Sequence, residues 1–155
     1  MLLINNPSLL KKKMILSTQL KGKIVEYQVV TKFLELGYIV SQPLVDCRYD
    51  FLVDIGDVIY KVQVKKSSKA ETSGAFTFRT SNTHVNTKGT IHRDYKDDVD
   101  FFATIWEDKC YLVPISICGV KNKTLRLDKP KNNIQRNITW AKDYELQEVV
   151  SRLVE

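Results

Sequence analysis

Asp50, Gln63 and Lys65 stand in the stretch RYDFLVDIGDVIYKVQVKK, residues 48–66, at spacings that suit a hydrolytic centre. Gly56-Asp57 reads as a two-residue hairpin loop, with Gly at the first position of a type II′ turn. Pairing then runs outward from Ile55 opposite Val58, so that Phe51 meets Val62 and Asp50 meets Gln63. Period-two alternation puts Tyr49, Phe51, Val53 and Ile55 with Val58, Tyr60, Val62 and Val64 on an apolar face. Asp50, Gln63 and Lys65 share the polar face, while Lys66 points to the opposite one. Directly opposed Cβ atoms lie about 4.5–5.5 Å apart. One divalent cation is therefore within reach of Asp50 and Gln63, with the Lys65 ammonium just beyond. The same pattern also suits an ordinary antiparallel sheet with Lys and Asp on its wet face, and the hairpin alone favours that plainer reading.

Further elements bear on the choice. STQLKGKIVEYQVVTKFLELG predicts a helix, capped by Ser17 or Thr18 and ended by Gly37 in the left-handed conformation. At 100° per residue Val25, Val29, Phe33 and Leu36 make one stripe, widened by Val30. Glu26 falls in the middle of it, where a carboxylate needs a partner, a proton or a functional site. A wet Glu26 at a protruding helix start is the alternative. Ser67, Ser68, Thr72, Ser73 and Gly74 follow the lysines as a polar, flexible run able to approach a ligand. With a basic surround, these features describe a metal-assisted phosphodiester site in a groove for a polyanion.

The rest of the chain supplies a frame. YIVSQP is a short strand stopped by Pro43, GAFTFRTS a further strand, and VDFFATIW and CYLVPISI two more joined by the turn EDK. KDYELQEVVSRLVE is an amphipathic helix through Tyr144 or Leu146, Val149, Val150 and Leu153. This order predicts an α/β (α+β) fold with a central mixed sheet flanked by helices. Residues 1–13 read as a loose extension, and 14–155 as one domain. Arg79, Asn82, His84 and Asn86 alternate with smaller residues, so an extended stretch points them to one side. Such a β-ribbon fits a major groove, where Arg reads guanine and Asn adenine, and Lys88 and Arg93 add charge nearby. His84 and His92 sit in no metal-ligand spacing. KNKTLRLDKPKNNIQR reads as a phosphate-tracking or solubilising segment.

Composition agrees with a nucleic-acid partner. The 155 residues carry 24 Lys and Arg against 18 Asp and Glu, a net charge of +6, which favours a polyanion. Cys47, Cys110 and Cys118 are odd in number and lack CxxC spacing, which argues for a reducing cytoplasm and against a zinc site. No run approaches transmembrane length, and the first residues do not form a convincing signal peptide.

Helix Glu26, YD at 49–50, the hairpin and VQVK at 62–65 together resemble the PD-(D/E)XK nucleases. YKDDVDFFATIWEDKCYLVPI looks like their later strands. The resemblance extends from about Met14 onward and is nearest to the PD-(D/E)XK homing endonucleases encoded in cyanobacterial tRNA group I introns. It implies a restriction-endonuclease-like fold and Mg²⁺-dependent hydrolysis of double-stranded DNA at a long specific site. Mn²⁺ is a further possible cofactor and Ca²⁺ a non-cleaving substitute. The catalytic residues it implies are Glu26, Asp50, Gln63 and Lys65, with the metal on Asp50, Gln63, the Val64 carbonyl and Glu26. It also implies a homotetramer. Two positions depart from the pattern. Arg48-Tyr49 stands where the family has Pro before the acid, and neutral Gln63 replaces an Asp or Glu. The Gln63 amide oxygen still suits a hard cation but brings no charge. Lys66, Ser67, Ser68, Arg79, Asn82, His84, Asn86, Lys88 and Arg93 are the candidate DNA contacts. A Holliday-junction resolvase of the same fold and a DNA-binding module with a dead site are the competing functions. An RNA-binding protein is more distant, since no paired aromatic platform is legible.

Overall fold

The computed structural model describes residues 17–86, 89–130 and 136–155. Helix α1 (Thr18–Glu35) starts at Ser17, whose hydroxyl accepts from the Leu20 N–H at 3.2 Å, and gives way to Gly37 at φ +84°. A five-stranded sheet follows the order β1 (Ile39–Ser41), β2 (Phe51–Ile55), β3 (Val58–Val64), β8 (Phe101–Trp106) and β9 (Lys109–Pro114). All neighbours are antiparallel except β3 and β8, which run parallel, so the sheet is mixed as expected. Helix α2 (Leu146–Val154) closes the chain.

The hairpin has the expected register, with Ile55 opposite Val58 and Phe51 opposite Val62. Its turn differs. Gly56 and Asp57 both have positive φ, 57° and 65°, which is a type I′ turn and not II′. The right-handed twist of the paired strands fits either turn, and Asp tolerates the left-handed region that I′ demands at its second position. The β8–β9 turn is built the same way on Glu107 and Asp108, at φ 46° and 64°.

Alternation along the strands sorts side chains into two cores. On one face Phe51, Val53, Ile55, Val62, Val64, Phe101 and Leu112 meet Val29 and Phe33 of α1 and Leu146, Val149 and Val150 of α2. Burying a side chain of the Phe33 kind contributes roughly 1.5–3 kcal/mol. On the other face Phe102, Tyr111 and Val113 meet a second, three-stranded sheet in the order β10 (Asn122–Arg126), β5 (Ala75–Arg79) and β4 (Ser67–Lys69). Strand β8 is buried on both faces from Phe101 to Thr104, which explains an apolar run interrupted only by Thr104.

Several expectations are corrected. Ser67–Lys69 is a strand paired with β5, and the Ser67 hydroxyl donates to the Ile105 carbonyl, so the start of the flexible run is held. Asn122–Arg126 is also a strand, with Leu125 fully buried against Phe76 and its neighbours, so that part of the basic tail serves the core. Leu36 is 40% exposed at the end of α1 instead of completing the apolar stripe. A second stripe of α1, Leu20, Ile24, Tyr27 and Leu34, is exposed, with Leu20 and Tyr27 at the borders of the clefts that contain Glu26 and Asp50. The segment after β5 forms a two-stranded antiparallel ribbon, β6 (Asn82–Asn86) and β7 (Gly89–Arg93). Among the described residues, no helix is long and apolar enough to cross a membrane.

Candidate active site

Asp50 sits at a bend immediately before β2, and its N–H donates at 2.9 Å to the carbonyl of Val62, the residue already opposite Phe51, so the regular pairing ends here. The carboxylate is held from the opposite strand. Its Oδ2 accepts from the Val64 N–H at 2.6 Å and from Gln63 Nε2 at 2.6 Å. The Gln63 amide also reaches the Val64 carbonyl at 3.4 Å. Asp50 and Gln63 thus meet side chain to side chain, one residue beyond the paired register of the hairpin. Burial pushes the Asp50 carboxyl up from its ordinary 3.8 to about 6, and the charge of Glu26 pushes the same way. The Val64 N–H, Lys65 and Lys23 pull against them without prevailing.

Glu26 is 6% exposed on the inward side of α1, in the same cleft as Asp50, Gln63 and Val64. That settles its placement against the protruding-helix alternative. Two neighbours that sequence reading missed hold it. Lys23, one helical turn earlier, reaches both Glu26 oxygens at 2.8 Å, and this hydrogen bond raises the Lys23 ammonium above its ordinary 10.5. Gln42, placed by the end of β1, donates to Glu26 Oε1 at 3.2 Å. The i, i+3 spacing of Lys23 and Glu26 was legible on the helix, whereas the Gln42 contact, 16 residues away, had no local signal. The cleft holds about 660 Å³.

Lys65 follows the last residue of β3, where its N–H donates to the Ala103 carbonyl at 2.9 Å. Its ammonium donates to the Tyr95 hydroxyl at 2.9 Å. Lys65 lines a second cleft of about 600 Å³ with Lys66, Ser67, Ser68, Arg79, Asn82 and Asn122. Lys65 and Lys66 both border this cleft, just past the end of β3 at Val64, with Lys65 half-buried and Lys66 exposed. Arg93 is exposed opposite Asn82 at the end of the ribbon. The side chains of His84, Asn86 and His92, and all of Lys88, lie outside the described residues. Asn122 was not singled out by sequence, since the strand that carries it was not recognised.

The donor set suits a hard divalent cation. Two carboxylates, Asp50 and Glu26, repel each other in a half-closed cleft, and the raised Asp50 carboxyl reports that the cations nearby do not offset its burial. The Gln63 amide nitrogen, a partly positive group, already bridges Asp50 and the Val64 carbonyl. Its two ends are similar in size, so a half-turn presents Oε1 to a cation in its place. Among the described residues, no three His, Cys, Asp or Glu gather as a metal cluster, in keeping with a set in which amide and carbonyl oxygens supplement two acids.

An acid on a helix, an acid before one strand and a lysine two residues past its cross-strand partner, all on a mixed sheet, define a nuclease fold. This chain belongs to the PD-(D/E)XK endonuclease family, whose profile matches residues 16–147. Members of the family generally use divalent metal ions. Among solved structures it is similar to a bacterial homing endonuclease, I-Ssp6803I, at 26% identity and a TM-score of 0.62, over 90% of this chain and 93% of that one. No curated protein matches the chain.

Proposed function

We propose that this protein is a site-specific, divalent-metal-dependent endonuclease of the homing type that hydrolyses both strands of double-stranded DNA. Residues 14–155 act as its one catalytic domain. The observation that carries the reading is the half-buried Asp50 carboxylate bonded to Gln63, with buried Glu26 in the same cleft. Asp50, Glu26, the Gln63 amide oxygen and the Val64 carbonyl are the groups that would hold Mg²⁺, or Mn²⁺ in its place. A divalent ion bound there polarises water and offsets charge on the scissile phosphate.

The chain's own groups divide the remaining work. The Val64 N–H fixes Asp50, and Lys23 and Gln42 fix Glu26, so the two acids keep their aim without the substrate. Lys65 stabilises the charge that develops on the phosphate, as preorganised cations do. Lys66 and Arg79 in the adjoining cleft meet backbone phosphates, and Asn82 opens the ribbon toward a groove. Ser67 contributes its backbone position more than its hydroxyl, which is spent on Ile105.

The protein works as a homo-oligomer, a tetramer by its likeness to homing enzymes, since one small domain spans little DNA. Support comes from the exposed stripe of α1. An antiparallel copy centred on Tyr27 sets Leu20 against Leu34 of the second copy at both ends.

The test is a plasmid library with random inserts, incubated with Mg²⁺, Mn²⁺ or Ca²⁺, followed by sequencing of the cut ends. Cleavage at one long sequence in Mg²⁺ or Mn²⁺, with binding alone in Ca²⁺, is expected. Binding without scission in every metal would make this an inactive module. Preference for four-way junctions would make it a junction resolvase.

A further inference from the structure

Lys65 is a long side chain with four rotatable bonds, and its catalytic use depends on where the ammonium is held. Its backbone is fixed by the sheet, but that fixes only the Cα. The fixed point for the charge lies 30 residues away, at Tyr95. The phenol oxygen accepts from Lys65 Nζ at 2.9 Å, and the ammonium lies 4.5 Å from the ring centroid.

Tyr95 is itself held on several sides. It is 3% exposed, and its ring meets Phe102 edge-on, with centroids 5.5 Å apart at 84°. The Arg48 guanidinium sits 4.2 Å from the same ring centroid. Arg48 Nε is in turn fixed to Asp98 Oδ2 at 2.8 Å, and its Nη2 donates to the Asp94 carbonyl. The backbone closes the unit, since the Asp98 N–H donates to the Tyr95 carbonyl at 3.0 Å. Arg48 lies two residues before Asp50, so one aromatic ring ties both arms of the catalytic hairpin together.

A buried phenol needs a hydrogen-bond partner, and here the partner is an ammonium whose position matters for hydrolysis. Among the described residues, Lys65 forms no ion pair with a carboxylate. Its charge is therefore anchored by a neutral group, which leaves it uncompensated for a phosphate. A carboxylate in the same place would have fixed the ammonium equally well and spent its charge.

We infer that Tyr95 is a positioning residue for the phosphodiester hydrolysis: with its ring held by Phe102 and by Arg48, which Asp98 fixes in turn, its hydroxyl sets the place of the Lys65 ammonium at the scissile phosphate. The inference rests on the catalytic reading of Lys65 given above. It assigns no chemistry to the phenol, which touches no reacting atom.

Tyr95→Phe is the test, because it keeps the ring, its contact with Phe102 and its place beside Arg48, and removes the hydroxyl alone. Single-turnover cleavage of a plasmid bearing the sequence selected by the wild type is compared with affinity for that DNA in Ca²⁺ and with thermal stability. A misplaced catalytic group costs on the order of 100-fold in rate. The expected result is a rate loss of about 10- to 100-fold, with affinity within about twofold and an unchanged melting temperature. Wild-type rate would overturn the inference, and so would parallel losses in rate, affinity and melting temperature, which mark a purely structural residue. Lys65→Ala runs alongside. If Lys65→Ala is slow and Tyr95→Phe is not, Tyr95 alone is refuted; if Lys65→Ala cleaves like wild type, the catalytic reading of Lys65 fails first.

Discussion

Asp50→Asn should make the metal-free protein more stable while abolishing cleavage, and the gain should depend on pH in a defined sense. Asp50 titrates at about 6 in the folded chain, against an ordinary 3.8, because burial and Glu26 both disfavour its charge. A carboxyl raised on folding contributes stability that is fully present below about 4 and is lost as pH rises through about 6. At pH 8 the folded protein therefore carries an ionisation penalty of ~3 kcal/mol at most, and partial solvent contact reduces this to about 2 kcal/mol. Asn keeps the side-chain shape and an oxygen for the Val64 N–H, so it removes the penalty without a cavity. For a chain of this length 1 kcal/mol is about 2–4 °C in melting temperature. In excess EDTA at pH 8 and fixed protein concentration, calorimetry should find Asp50→Asn melting about 4–8 °C above wild type. The two proteins should converge as pH falls to about 4. The same variant should bind DNA in Ca²⁺ and cut none in Mg²⁺. A pH-independent gain, or a loss of stability at pH 8, would refute the uncompensated carboxylate on which the cation site is argued.

Further expectations follow from neighbouring groups. Lys66→Ala should weaken DNA binding and lower the salt slope of the association constant by about one unit, with little effect on the cleavage rate at saturation; a rate loss without an affinity loss would mean that the two lysines have exchanged roles. Gln63→Ala should raise the Mg²⁺ concentration for half-maximal cleavage markedly, whereas Gln63→Glu, with a third negative charge, should lower it; identical Mg²⁺ titrations would remove Gln63 from the site. Glu26→Gln should lose activity nearly as fully as Asp50→Asn, and wild-type cleavage at low Mg²⁺ would make Glu26 only a partner for Lys23. Tyr27→Glu places two like charges at the centre of the proposed α1 pairing and should reduce the mass found by light scattering, while an unchanged mass would exclude that surface.

The hairpin was legible in the sequence because its determinants are local. Turn residues at 56–57 and period-two alternation fix the register, and a one-residue slip would turn Phe51 and Val62 out of the core. The meeting of Asp50 with Gln63 followed from that pattern, and the helix that carries Glu26 followed from its 100° apolar stripe and its caps. Even here the turn type depended on φ at Asp57, which the alternation does not encode. Other features required the tertiary structure because they join distant segments, where no local period links the partners and the pairing emerges only when loops close. The parallel β3–β8 pair, the seating of Leu125 against Phe76, the Gln42 contact to Glu26 and the Tyr95 anchor for Lys65 are all of this kind. The raised Asp50 carboxyl belongs with them. The sequence determined which groups share a face; packing decided how much water each keeps, and with it the charge each can carry.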